Sequence, residues 1–237
     1  MPLAKEGLRE ILLATLVLWA LAAGAGWLSW PLSIPFVLLW VWVLTFFRDP
    51  VRERTYEPGD LCAPADGTVT EISRLEHYDA LGGPAVRIGI FLSLFNVHVN
   101  RSPCDGRVVS AVYKKGEFLD ARHPESGTRN ESNTLLIEPA PPMPGPIEVR
   151  QVAGLVARRI ISHAPVGTSL RIGQRFGLIK FGSRTELVFP SRPGTEVLVQ
   201  MGDQARGGLT ILARQPVEIN ASPSQALLME SRNRGNT

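Results

Sequence analysis

Ala63-Pro64-Ala65-Asp66-Gly67-Thr68-Val69 reads as a tight turn delivered into a strand, and Ser102-Pro103-Cys104-Asp105-Gly106-Arg107-Val108 repeats it. In each, a small residue and a Pro precede Asp-Gly, a pair that closes tight turns because Gly accepts positive φ. His163-Ala164-Pro165-Val166-Gly167 is a looser third echo, and Pro193-Gly194 and Gly202-Asp203 mark two more turns. Around these turns, from Arg48 onward, lie short apolar runs at 60–62, 67–74, 85–91, 106–113, 133–138, 147–153, 155–162, 169–171, 176–181, 185–189, 196–199 and 209–213. Val, Ile, Leu and Phe dominate them, as strands prefer. None is followed by a twelve-residue helical pattern, which argues against a doubly wound sheet. Many short strands with Gly-rich turns predict a mainly β fold, a barrel-sandwich-like domain. The polar stretch 115–132 reads as an exposed loop and the Pro-rich stretch 139–146 as a surface turn.

Upstream the texture is different. Residues 11–47 contain no Asp, Glu, Lys, Arg or His and hold all five Trp. A signal peptide has a shorter apolar core, and one membrane-spanning helix needs only about 20 residues. The run therefore predicts a hydrophobic helical hairpin, roughly 8–28 and 34–47, broken at Trp30-Pro31-Leu32-Ser33 where Pro removes a donor. Lys5 and Arg9 precede it, and Arg48, Arg52 and Arg54 follow, so both ends favour the cytoplasmic side of a cell membrane. The predicted organisation is a membrane-anchoring hairpin at 1–47, a β-rich domain at 48–221 and a flexible tail at 222–237, with a turn of helix at 225–230.

Composition narrows the chemistry. Hydrophobic residues are 44% and charged residues 20% of the chain, too apolar for disorder. A net charge of +3 without a dense Arg/Lys block gives no reason to expect nucleic acid. Cys62 and Cys104 are too few for a disulfide framework or a zinc site, so no metal is expected; two reduced thiols are the plainer reading, with a single disulfide left open. Of the four His, His77 and His123 lie in polar surroundings, and His163 ends a strand beside a turn. His98 lies within the apolar Phe91–Val99 run, where it is either a hydrogen-bonded core residue or a general base. Asp66 either caps its own turn or supports that base. Gly182-Ser183 divides two apolar strands. It is not a G-x-S-x-G nucleophile elbow. Beside a base, however, a Ser hydroxyl can attack the preceding Gly carbonyl, which no side chain obstructs.

Taken together, Phe46-Phe47-Arg48-Asp49-Pro50, Ala63-Pro64-Ala65-Asp66-Gly67, Phe95-Asn96-Val97-His98 through Pro103, and Lys180-Phe181-Gly182-Ser183 resemble the phosphatidylserine decarboxylase proenzymes of the short bacterial and archaeal type. The resemblance covers most of 44–215. The longer bacterial form carries an extra His where this chain has Phe95, and Leu-Gly-Ser-Thr where it has Phe181-Gly182-Ser183-Arg184. The resemblance implies self-cleavage between Gly182 and Ser183, giving a β chain 1–182 and an α chain 183–237. Ser183 would become a covalent pyruvoyl group, the cofactor. It further implies that His98 takes the Ser183 proton and that Asp66 orients His98. The pyruvoyl carbonyl would then serve as electron sink when a phosphatidylserine head group loses CO2, yielding phosphatidylethanolamine. Arg48, Arg52, Arg101, Lys114, Lys115 and Arg122 are phosphate candidates by charge alone, and a homodimer is the base-rate assembly. Three other readings stand beside this one. They are a membrane-tethered barrel-sandwich carrier, an inert adaptor, and a decarboxylase of another serine head-group lipid.

Overall fold

Two apolar helices lead the chain, α1 (Leu8–Leu28) and α2 (Ile34–Phe46), joined through a 3-10 turn at Trp30–Ser33 that opens on Pro31. They pack side by side: Trp19 meets Trp40 edge-on at 5.6 Å, and Trp40 Nε1 donates to Thr15 Oγ1 at 2.9 Å. Their outer faces stay bare, with Leu16 71% and Trp27 92% exposed. Helix α1 is long and apolar enough to cross a membrane. Helix α2 rises only about 20 Å, less than a bilayer core. The hairpin and its break fall where the sequence predicts them. This computed structural model describes residues 2–123, 125–155, 159–180 and 182–217. The expected tail at 222–237 and its turn of helix lie outside the described residues.

The remainder is built mainly of strands. In chain order they are β1 (Asp60–Cys62), β2 (Gly67–Tyr78), β3 (Gly83–Leu92), β4 (Val99–Arg101), β5 (Gly106–Lys114), β6 (Ser132–Pro139), β7 (Ile147–Val152), β8 (Ile160–Ser162), β9 (Ser169–Leu170), β10 (Arg175–Ile179), β11 (Ser183–Pro190), β12 (Glu196–Val197), β13 (Gln204–Ala205) and β14 (Ile211–Arg214). Eight form one antiparallel sheet in the order β13-β2-β3-β11-β7-β6-β5-β9. Its end strands β13 and β9 are not paired with each other. Two three-stranded sheets, β1-β14-β12 and β4-β10-β8, complete the set.

Strand alternation explains the core. Leu187 and Phe189 of β11 and Val86, Ile88 and Ile90 of β3 face one interior with Val108, Leu135, Ile137 and Val149. Both Cys are free and buried, and burial pushes the Cys62 thiol up to about 12. The 115–132 stretch departs from expectation. Most of its charges are exposed, but Ala121, Ser126 and Asn130 are buried, and Asn130 Nδ2 donates to Leu119 O and Ala153 O at 2.8 Å. The buried amide fastens this loop to the end of β7, so it is packed rather than simply exposed.

The hairpin is not a detached anchor. Ala4 is buried against Val97, Val99 and Leu178, and its N–H donates to Phe47 O at 2.8 Å. Glu6 pairs with Arg175 and, at 2.6 Å, with His163; Asp49 bridges Arg175 (2.8 Å) and Arg101 (2.9 Å). Lys180, 5% exposed, reaches Glu10 on α1 at 2.6 Å. These ties fix the base of the hairpin on β10, the strand that runs toward residue 182.

Candidate active site

Gly182 has φ +56°, in the left-handed region that favours glycine. Directly after it Ser183 opens β11 and lies opposite Leu92 of β3. The chain thus turns sharply at one residue and is pinned in a central strand at the next. Ser183 is fully buried, and its Oγ has no hydrogen-bond partner among the described residues. A buried hydroxyl without a partner costs about 1–3 kcal/mol, so such a group calls for a chemical reason.

The carbonyl of Gly182 occupies a space that exists because residue 154 is glycine. A Cβ built on Gly154 would come 2.0 Å from the Gly182 oxygen and 3.3 Å from the Ala121 Cβ. The Gly182 carbonyl is therefore wedged against the backbone that follows β7.

His98 is also fully buried, immediately before β4. Its carbonyl accepts from Ile179 N–H at 3.1 Å, which sets it beside the strand leading to Ser183. The ring lies 4.1 Å from Phe46, centroid to centroid, so the last residue of α2 forms one wall of its pocket. Its Nδ1 lies 2.9 Å from Asn96 O. A carbonyl can only accept, so Nδ1 carries the proton and Nε2 presents the basic lone pair. That Nε2 is buried and, like Ser183 Oγ, has no partner among the described residues. Burial pushes the imidazole down to about 4, with the Arg48 charge acting the same way; the Asn96 bond and the Asp66 charge oppose them. His98 is therefore neutral near pH 7.

Asp66 is buried on its turn, but it is not hydrogen-bonded to His98. Arg52 grips both its oxygens, at 2.5 and 2.8 Å, and Gly207 N–H donates to Oδ1 at 2.8 Å. It acts on His98 through its charge. The phosphate candidates are largely committed elsewhere: Arg52 to Asp66, Arg101 to Asp49, Lys114 to Thr128 O, and Arg122 to Asp120. Arg48 donates to Thr45 O and to Phe95 O, while the Phe95 ring is 74% exposed. His77 and His163 pair with Asp79 and Glu6, and His123 accepts from Glu125 N–H. No cluster of three or more His, Cys, Asp or Glu suited to a metal occurs among the described residues.

Sequence reasoning missed Gly154, Phe46 and the Arg52–Asp66 pair. Gly154 had no local signal, and Phe46 stood in the Phe46–Pro50 motif without a role attached to it. Arg52 carried a signal, a basic residue just after the hairpin, but it pointed to the lipid rather than to Asp66.

A sequence model of the family described as phosphatidylserine decarboxylase matches residues 39–213. A phosphatidylserine decarboxylase proenzyme of Rhodopirellula baltica is 45% identical over 215 residues, 90% of this chain and 88% of the relative. Proenzymes of the same description from Pelobacter propionicus and Nitrobacter winogradskyi are 41% and 40% identical, covering 90% and 85% of this chain and 96% and 78% of their own. With an aligned body of this extent, the chain belongs to the phosphatidylserine decarboxylase family.

Proposed function

We propose that the chain is a proenzyme that cuts itself between Gly182 and Ser183 and then decarboxylates phosphatidylserine to phosphatidylethanolamine. Family membership supports the reaction. The observation that carries the site assignment is the buried, unpartnered Ser183 hydroxyl directly after left-handed Gly182. Neutral His98, with Nε2 free, takes the Ser183 proton. Oγ attacks the Gly182 carbonyl carbon, the C–N bond breaks as the Ser183 nitrogen takes that proton from His98, and the acyl group passes from nitrogen to oxygen. Loss of the Ser183 Cα proton then expels the Gly182 carboxylate and leaves dehydroalanine. Its imine tautomer takes up water and releases ammonia, leaving a pyruvoyl end on the α chain 183–237, beside the β chain 1–182. The pyruvoyl group supplies the electron sink for decarboxylation.

The residues present fit that group. Its precursor lies in a dry interior, with Gly154 leaving room for the adjacent carbonyl. Asp66, held by Arg52, stabilises the charge His98 gains on taking a proton. The domain reading follows: hairpin 1–47 as anchor, 48–221 as catalytic domain, 222–237 as tail. The mostly β body, an eight-stranded sheet with two smaller sheets, supports reading the domain as barrel-sandwich-like. The bare faces of α1 and α2 support membrane residence, and the basic flanks Lys5, Arg9, Arg48, Arg52 and Arg54 support a cytoplasmic catalytic face. With the hairpin base packed beside His98, a head group can reach the site while its acyl chains stay in the bilayer. A homodimer rests on base rate alone.

The test uses phosphatidylserine vesicles. The parent protein releases CO2, and the Ser183→Ala chain remains uncut and releases none. CO2 release by Ser183→Ala at the parent rate overturns the reading.

A further inference from the structure

Asn100 is fully buried on β4 and has no part in the chemistry above. Its Nδ2 donates to Thr185 Oγ1 at 3.1 Å and, at 3.4 Å, to Pro64 O; its Oδ1 accepts from Gln151 Nε2 at 2.8 Å. Thr185 stands two residues after Ser183 on β11. Asn100 stands two residues after His98. Pro64 stands two residues before Asp66. One side-chain amide thus ties together the three segments that carry Ser183, His98 and Asp66.

The backbone reaches Pro64 from β4, through Arg101 N–H to Pro64 O at 2.9 Å, but it does not join β4 to β11. Strand β4 is laddered to β10 in the small sheet, and β11 to β3 and β7 in the large one. No ladder joins β4 to β11 among the described residues. Residues two apart on an extended strand share a face. The Asn100–Thr185 bond therefore holds the His98 side of one strand against the Ser183 side of the other.

The amide is itself held in one orientation. Asn133 Nδ2 on β6 donates to Gln151 Oε1 on β7 at 2.9 Å, and Gln151 passes the same polarity to Asn100. Donors run in one direction from β6 through β7 and β4 to β11. Asn100, Gln151 and Thr185 are fully buried and Asn133 is 7% exposed. A break anywhere strands a polar group away from water, and bonds aligned this way reinforce one another.

We propose that Asn100 is a positioning residue for self-cleavage, its bonds to Thr185 and Pro64 setting the His98 imidazole and the Asp66 turn relative to the Ser183 hydroxyl. The inference rests on the assignment of Ser183, His98 and Asp66 made above. Asn100 touches no reacting atom and works by fixing distances, to which proton transfer and acyl attack are steeply sensitive.

The test follows cleavage of full-length precursor made by cell-free synthesis with lipid vesicles, sampled over time by intact mass. Two substitutions at Thr185 give opposite forecasts for positioning and for packing. Thr185→Val keeps the shape and removes the acceptor. Thr185→Ser keeps the acceptor and removes a methyl group. Positioning predicts that Thr185→Val slows cleavage by about tenfold or more while Thr185→Ser stays within about twofold of the parent. A packing role predicts the reverse order. Asn133→Ala, nearer the surface, removes the donor that orients Gln151; it slows cleavage several-fold and keeps the proposal testable if Thr185→Val does not fold. Parent-rate cleavage by folded Thr185→Val or Asn133→Ala overturns the proposal, as does equal slowing by Thr185→Ser and Thr185→Val. Ser183→Ala in the same assay separates the two claims. If it is cut, the site assignment fails; if it stays whole while Thr185→Val matches the parent, only the role of Asn100 fails.

Discussion

Adding one methyl group at position 154 should stop the chain from cutting itself. In Gly154→Ala the new Cβ would come 2.0 Å from the Gly182 oxygen, where real Cβ contacts almost never fall below 3.0 Å. The carbonyl must therefore retreat by at least 1.0 Å, the difference between those distances. The Ala121 Cβ would lie 3.3 Å from the added methyl, a second tight contact that leaves residue 154 little room of its own. The atom displaced belongs to the carbonyl under attack. A misplacement of about 1 Å costs about a hundredfold in rate when reacting atoms need near-contact geometry. Overpacking of this kind costs about 1–3 kcal/mol, within the usual stability of a domain. The variant should fold and remain mostly uncut. Precursor decay followed by gel and intact mass measures the rate, with thermal melting as the check on folding. Gly83→Ala is the control, because nothing lies within 4 Å of its added Cβ. A folded Gly154→Ala chain that processes at the parent rate would refute the placement of the scissile carbonyl.

Acid should weaken the fold through His98. Its imidazole sits at about 4 when folded against an ordinary 6.5, so the unfolded chain binds the proton first. The contribution is intact above pH 6.5, falls away as pH drops toward 4 and is constant below, amounting to about 3 kcal/mol. On a Ser183→Ala background, which keeps both chains whole, His98→Gln should lose that part of the pH dependence. Equal slopes for the two chains in denaturant titrations would contradict it. The Arg52–Asp66 pair gives a separate test, since both side chains are nearly buried. Arg52→Met leaves a buried carboxylate unpaired and should cost about 3–5 kcal/mol, with partial recovery in the Arg52→Met, Asp66→Asn double variant. A loss under about 1 kcal/mol would show the pair to be dispensable.

What could be read from the sequence was what local chemistry dictates. The hairpin was legible because an uncharged run broken by Pro leaves few choices, and α1 and α2 begin and end within a residue of expectation. The Asp-Gly turns announced β2 and β5, the first through a positive φ at Gly67 and the second through the close approach of the Glu138 carbonyl to Gly106. Strand ends were less legible. β2 runs on to Tyr78 through charged residues, β10 stops at Ile179, and β11 starts at Ser183 rather than 185. β4 was missed because Val99–Arg101 is short and polar, and its partner β10 is far away in sequence. The importance of Gly154, Asn100 and Phe46 arises from atoms that come together only after folding. Arg52 shows the limit of reasoning from charge alone: its position after an apolar hairpin suggested a lipid phosphate, and its contacts are with Asp66 and Gly207 O.

The central claim is that the bond between residues 182 and 183 breaks from within and leaves a ketone in place of a serine. Intact mass of the purified, active protein tests this most directly. The account predicts two chains, 1–182 and 183–237, the smaller lighter than its unmodified peptide by the mass of ammonia and blocked to amino-terminal sequencing. Active protein consisting of one uncut chain, or of a small fragment that begins with an ordinary serine, would contradict it.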